Sequence, residues 1–273
     1  MRPVYVFFHI PKCAGTSLTH QVRARMDPET YLALYDQPYK DKRRKMVYGL
    51  GPSRAEVLRL VFGHDAYDGV HEDLGRSGRY FTVLRHPVDR VVSHYNFKID
   101  YWLIKKDRQV WDNDYPYLED GRPMPFEEWI ERYPHVNDVM TRYISRSFMN
   151  WTDRGKPFGD EDLERASERL RGFYYVGMTE TFDTESQMIY GWIGLRGYRV
   201  VRKNLSYPHY RLTDPALRAK VLRLNARDLE LLELGRRLNR GLKLRRSYYV
   251  GAPIYHLRRA AHQVFYNSEE TLS

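Results

Sequence analysis

The stretch "VYVFFHIPKCAGTSLTHQV", residues 4–22, constrains this chain more than any other. Its first five residues are β-branched or aromatic without a polar interruption, which reads as a strand buried on both faces. A proline, a lysine and a small Ala–Gly turn follow. From Thr16 to about Arg25 the spacing of Leu18, Val22 and Met26 predicts a helix. A buried strand, a tight turn and a helix start together make an anion site, because the first helical amides lack intrahelical partners and the helix dipole adds positive potential. Ala14 and Gly15 keep bulk away from such an anion, Thr16 and Ser17 offer hydroxyl donors, and Lys12 supplies a point charge at the mouth. The lysine precedes the glycine. In an ATP-binding loop it follows the glycine and adjoins the Ser/Thr that holds magnesium. No strand ending in a lone aspartate offers a second magnesium ligand. The loop therefore reads as a holder for an anion whose transfer needs no metal. Taken alone, the same residues also fit a tight turn, a capped helix and a surface lysine.

The rest of the chain alternates in kind. Strands are expected at Tyr80 to Leu84, at Phe173 to Val176 and at Tyr198 to Val201. Pro87 opens a long helix, a position where proline is tolerated. "GPSRAEVLRLVFGH" predicts a helix capped by Ser53, with Glu56 three residues later, ending near Gly63. Residues 36–46 read as a polar basic loop or an exposed helix start, and 112–125 as a surface loop rich in Asp, Pro and Gly. Residues 126–149 hold two helical stretches broken near Pro134. A turn and an amphipathic helix follow "FYYV", and residues 214 to about 240 are helical. This alternation predicts an α/β fold with a central parallel sheet flanked by helices. No Gly/Ser-rich linker divides the chain, so residues 1–273 are expected to form one domain, with a basic C-terminal segment from about 214 to 273 packed on it.

Composition narrows the partners without choosing one. A chain of 273 residues with 42% hydrophobic and 14% aromatic residues can bury a sizeable core, and it carries a formal charge of +10. That charge suits a phosphorylated cofactor, an acidic polymer, nucleic acid or a membrane surface, and equally a solvated basic face. Cys13 is the only cysteine, which excludes an internal disulfide and a cysteine zinc site. There is no apolar run long enough to span a membrane and no signal-peptide pattern. If the chain is complete, a cytoplasmic location follows; an N-terminal anchor trimmed away would leave no trace.

The second informative stretch is "YFTVLRHPVDRVVSHYNF". Arg85 ends a strand, and Arg90, Ser93 and Asn96 recur every third residue along the next helix. An arginine fork and a serine hydroxyl can clamp one phosphate. In an open parallel sheet the ends of both strands face one crevice. The alternative for this segment is an Arg85–Asp89 pair and a buried helix serine.

Together the two stretches resemble a known family. "HIPKCAGTSL" is similar to the 5′-phosphosulfate loop of sulfotransferases that use 3′-phosphoadenosine-5′-phosphosulfate (PAPS). "LRHPVDRVVSHY" resembles their 3′-phosphate segment, R-x-P-x-x-R-x-x-S-x-Y. The wording is closest to the branch that includes heparan sulfate 2-O-sulfotransferases and their bacterial relatives, and "NDVMTRYIS" and "YYVGMTETFD" resemble further blocks of it. The resemblance implies a P-loop-like sulfotransferase fold and in-line transfer of a sulfuryl group from PAPS to an acceptor hydroxyl, with PAP released. It implies a carbohydrate-type or other small hydroxyl acceptor, no metal and no nucleic acid partner. Lys12 would meet the leaving oxygen. Lys12, Cys13, Ala14, Gly15, Thr16 and Ser17 would hold the 5′-phosphate, and Arg85 and Ser93 the 3′-phosphate. Cys13 departs from the Thr or Ser usual at its position. His64, in "VFGHDAY", matches a histidine block of related enzymes and is the candidate general base; the alternative is a structural histidine. His9, His86 and His94 are weaker candidates, and "RKNLS" at 202–206 is a candidate second approach to the 3′-phosphate. Two other readings compete. One is a nucleotide or small-molecule kinase, which would need a Walker-type lysine and a magnesium carboxylate. The other is a non-enzymatic basic module that binds nucleic acid or acidic polysaccharide, which would account for the charge but not for paired phosphate motifs.

Overall fold

A computed structural model describes residues 2–35, 40–105, 116–118, 121–146, 157–197 and 207–245. The expected strand at Tyr198 to Val201, the segment 202–206 and the part of the basic C-terminal segment beyond 245 lie outside these residues. The expected α/β architecture is the one observed. Strands β1 (Val4–Phe8), β2 (Tyr31–Ala33), β3 (Leu60–Gly63), β4 (Gly78–Leu84) and β5 (Tyr175–Met178) form one sheet in the order β2-β3-β1-β4-β5. Every pairing is parallel. β1 is central, with Val6 beside Val61 of β3 on one edge and Tyr80 of β4 on the other.

The uninterrupted apolar character of β1 follows from that place. Val4, Val6 and Phe8 point into one core, and Tyr5 and Phe7 into another. Helix α1 (Gly15–Arg25) covers the second face with fully buried Leu18 and Val22. Each contributes about 1.5–3 kcal/mol of apolar burial. α9 (Phe182–Ile193) joins it through Ile189, Tyr190 and Ile193. The first face is covered by α2 (Lys40–Tyr48), α4 (Val70–Asp73), α7 (Val139–Arg146), α8 (Asp160–Gly172) and α11 (Ala226–Arg245). A third apolar cluster joins α5 (Pro87–Lys105), α6 (Phe126–Arg132) and α10 (Pro215–Leu224) around fully buried Trp129.

Two expectations are corrected. The helix beginning at Gly51 does not run to Gly63: α3 (Gly51–Val57) stops, and Leu60–Gly63 is strand β3. The run Leu60–Phe62 gains two parallel ladders, to β1 and β2, which a continued helix would forgo. Gly63 is required there. At φ +147° a Cβ would fall 1.8 Å from the Leu34 carbonyl oxygen. Ser53 is not the cap either; Leu50 occupies that position without a side-chain bond, and Pro52 sits in the first turn.

The helical stretch after Asp214 divides at Asn225. Asp214 caps α10 by accepting from the Ala216 amide at 2.8 Å. Where α7 meets α11, two buried aspartates cap each other's helices. Asp228 accepts from the Met140 and Thr141 amides at the start of α7, at 3.1 and 2.7 Å, and Asp138 accepts from the Asp228 amide at 3.0 Å. Among the described residues no helix is long and apolar enough to cross a membrane.

Candidate active site

The connection leaving β1 runs toward β2, and the one leaving β4 runs toward β5. Between the carboxyl ends of these two neighbours the sheet therefore opens a crevice, the usual ligand position in such folds. A cleft of about 430 Å³ lies there, and Lys12, Ala14, Gly15, Thr16, Ser17, His64, Arg85 and Ser93 all line it. The loop and the arginine also touch, since Arg85 Nη1 donates to the Lys12 carbonyl at 3.0 Å. No ion pair joins Arg85 to Asp89 among the described residues, and α1 has no side-chain cap.

The loop is held under strain. Lys12 (φ 65°) and Ala14 (φ 60°) are both left-handed without being glycine. Each such residue costs on the order of 1 kcal/mol, and such costs concentrate at functional sites. The strain turns the N-terminal turn of α1 into the cleft and rolls Cys13 out of it. Cys13 is buried in the core, its amide donates to the Ile10 carbonyl at 3.3 Å, and burial pushes its thiol up to about 12. It does not line the cleft, so the expectation that Cys13 contacts the anion finds no geometry to support it.

Gly15 is small for a local reason. A Cβ there would lie 1.9 Å from His9 Cδ2, because the His9 ring packs beneath the loop. His9 is buried, shares a 2.6 Å hydrogen bond with the Tyr35 hydroxyl, and its ring lies 4.3 Å from that of His64. Burial foremost, then the charges of His64, Arg23 and Lys12, hold His9 well below the ordinary histidine range, so it is a neutral wedge. His64 follows β3 and not a helix. Its Nδ1 lies 2.7 Å from the His9 carbonyl oxygen. A carbonyl only accepts, so Nδ1 carries the proton and Nε2 is the basic nitrogen of the neutral ring.

Lys12 is shifted as well. Burial first, then the neighbouring Arg85 cation, lower it to about 8, opposed by Asp100. Its Nζ lies 4.2 Å from the Phe97 ring centroid.

Of the three residues expected on one face of α5, the helix presents only Ser93 to this cleft. Arg90 is fully buried and donates to the Val136 carbonyl. Asn96 grips the backbone of Tyr210 in both directions, at 2.9 and 3.0 Å. That grip builds a second cavity of about 380 Å³ that shares Arg85, Asp89 and Ser93 with the first and adds Arg211 and Arg218. His86 and His94 do not line either cavity.

Phe97, Thr179, Glu180, Phe182 and Asp183 also line the cleft and were not legible as site residues. Phe182 and Asp183 stand on the first turn of α9, and Thr179 and Glu180 on the turn after β5. Buried Glu185 holds that turn, accepting from the Met178 amide at 2.9 Å and the Thr181 hydroxyl at 2.6 Å. The block "GMTETFD" was the available signal. Among the described residues no group of His, Cys, Asp or Glu is arranged to hold a metal ion.

A lysine-bearing loop and an arginine on the two sides of a parallel-sheet switch point, with a histidine just after the next strand, line one cleft of an α/β fold. The chain belongs to the sulfotransferase family, whose family model matches residues 2–234. The match covers every element from β1 into α11, and with it sulfuryl transfer as the general activity. No curated protein matches the sequence.

Proposed function

We propose that this sulfotransferase takes its sulfuryl group from PAPS and passes it to an acceptor hydroxyl by in-line displacement, releasing PAP. The observation that carries this reading is the single cleft lined by both the Lys12–Ser17 loop and the Arg85–Ser93 pair. Such a cleft suits a nucleotide phosphorylated at both ends. The α1 N-terminus, Thr16 and Ser17 bind the 5′ end. Arg85 and Ser93 bind the 3′-phosphate, a guanidinium fork and a hydroxyl on one anion. PAPS, when bound, supplies the activated sulfuryl group and a phosphate leaving group.

The protein's own chemistry is then threefold. Lys12 offers its ammonium to the oxygen on which charge develops, as preorganised cations do in phosphoryl transfer. His64 Nε2 accepts the acceptor's proton, with its tautomer set by the His9 carbonyl. The loop, wedged by His9 at Gly15, keeps both in register. The likeness to heparan sulfate 2-O-sulfotransferases favours a carbohydrate-type acceptor.

Calorimetry with PAP and with ATP, with and without magnesium, separates this reading from its rivals. PAP binding without magnesium supports it. ATP binding that requires magnesium would point to a kinase, and salt-sensitive polymer binding without nucleotide to a basic binding module. A radiolabelled PAPS assay over sugar, lipid, phenol and peptide hydroxyls then identifies the acceptor. Lys12→Ala and His64→Ala should each cut turnover by roughly 100-fold or more while PAP still binds. Full activity in His64→Ala would remove it as the base.

A further inference from the structure

We propose that Phe97 is the positioning residue for Lys12: its ring face fixes the ammonium over the cleft and favours its charged form. The inference rests on Lys12 acting as read above, and it adds a residue outside the R-x-P-x-x-R-x-x-S-x-Y pattern.

The geometry is specific. Nζ stands 4.2 Å from the ring centroid, well inside the range of a cation–π contact. Among the described residues Nζ has no hydrogen-bond or ion-pair partner. The ring is thus the contact that orients it. Phe97 is one helical turn beyond Ser93 on α5 and lines the same cleft, so one helix carries both a phosphate ligand and the rest for the lysine. Tyr101, four residues on, lies 6.0 Å from the Phe97 ring and backs it.

The ring is needed because the surroundings disfavour a cation. Burial and Arg85, at the end of β4, both oppose the charge on Lys12, and Asp100 on α5 favours it. Asp100 is already engaged, accepting from the Tyr207 amide at 2.9 Å and paired with His209 Nε2 at 2.6 Å. The remaining titratable groups lining the cleft are His9 behind the loop, His64 after β3, Asp89 on α5, and Glu180 and Asp183 after β5. A quadrupole face beside the ammonium favours the charged form without itself titrating.

The test follows the Lys12 side chain by NMR, its signal assigned by loss in Lys12→Met. In the wild type its ε-methylene protons should lie upfield of exposed lysines, because the ring shields them. In Phe97→Leu that displacement should vanish and the titration midpoint should fall by roughly half a unit to one unit; Phe97→Tyr should restore both. Calorimetry should show PAP affinity in Phe97→Leu near wild type at pH 6.5 and about fourfold weaker at pH 8.5. An unshielded Lys12 in the wild type would overturn the proposal, whether or not the variant folds. So would an unchanged midpoint in Phe97→Leu. If wild-type protein fails to bind PAP, the functional reading falls, while the NMR arm still decides the Phe97 contact.

Discussion

At the scale of single residues, the cleft depends on a cation held near its titration point. Lys12 sits at about 8, and an anionic ligand favours the protonated form. PAP affinity should therefore be full below pH 7 and decline above pH 8, approaching tenfold per unit until the ligand-bound lysine itself titrates. Lys12→Met should flatten that decline, and its affinity should converge on the wild type's near pH 9.5; calorimetry across pH measures both. Gly15→Ala tests the wedge. With His9 Cδ2 1.9 Å from the new methyl, either ring or loop must move, costing about 1–3 kcal/mol in urea unfolding and at least tenfold in PAP affinity. The sequence displayed Lys12, Gly15, Arg85 and Ser93 because each sits at a fixed offset from a strand end. It did not display Phe97, whose role depends on where α5 brings its ring, nor the reversal of Cys13, which follows from two left-handed residues that are not glycine.

At the scale of elements, the α7–α11 junction carries a pH signature. Burial, reinforced by the neighbouring Asp228 carboxylate, raises Asp138 to about 6 from the usual 3.8. A carboxyl raised on folding binds its proton more tightly in the native state. Its contribution is thus complete below pH 4 and is lost as pH rises toward 6, on the order of 3 kcal/mol in all. Asp138→Asn keeps an acceptor for the Asp228 amide without the charge. Its urea midpoint should fall less than the wild type's between pH 4 and 7. Equal slopes would show that Asp138 does not titrate in this window. Long elements with a strong pattern, β1, β4, α5 and α9, were legible in the sequence. β2 and β3 were not: the three residues of β2 carry too few side chains to show a period, and β3 follows α3 so closely that its apolar residues read as one more helical turn.

At the scale of the whole molecule, sheet and helices serve to bring the ends of β1, β3, β4 and β5 to one crevice. A ligand that bridges those ends ties together segments far apart in the chain and should stabilise all of them. Saturating PAP, at about 100 times its dissociation constant, should add about 2.7 kcal/mol to unfolding and raise Tm by about 5–10 °C. Lys12→Met with Arg85→Met should abolish most of that rise in a scanning calorimeter. A Tm unmoved by PAP in the wild type would mean that the cleft does not take this nucleotide. The overall class was legible because alternating strands and helices leave few topologies. The second cavity was not, since it depends on Asn96 gripping a segment whose place along α5 no local pattern encodes.

The central position of β1 also has a consequence for biosynthesis. The fully buried strand β1 precedes both of its sheet neighbours in the chain, and these, through Val61 and Tyr80, are translated much later. At ordinary elongation rates Val4–Phe8 remains unpaired for on the order of ten seconds. During that interval it is a bare apolar ribbon, and a nascent-chain chaperone that engages it would decide how much of the protein reaches its native sheet.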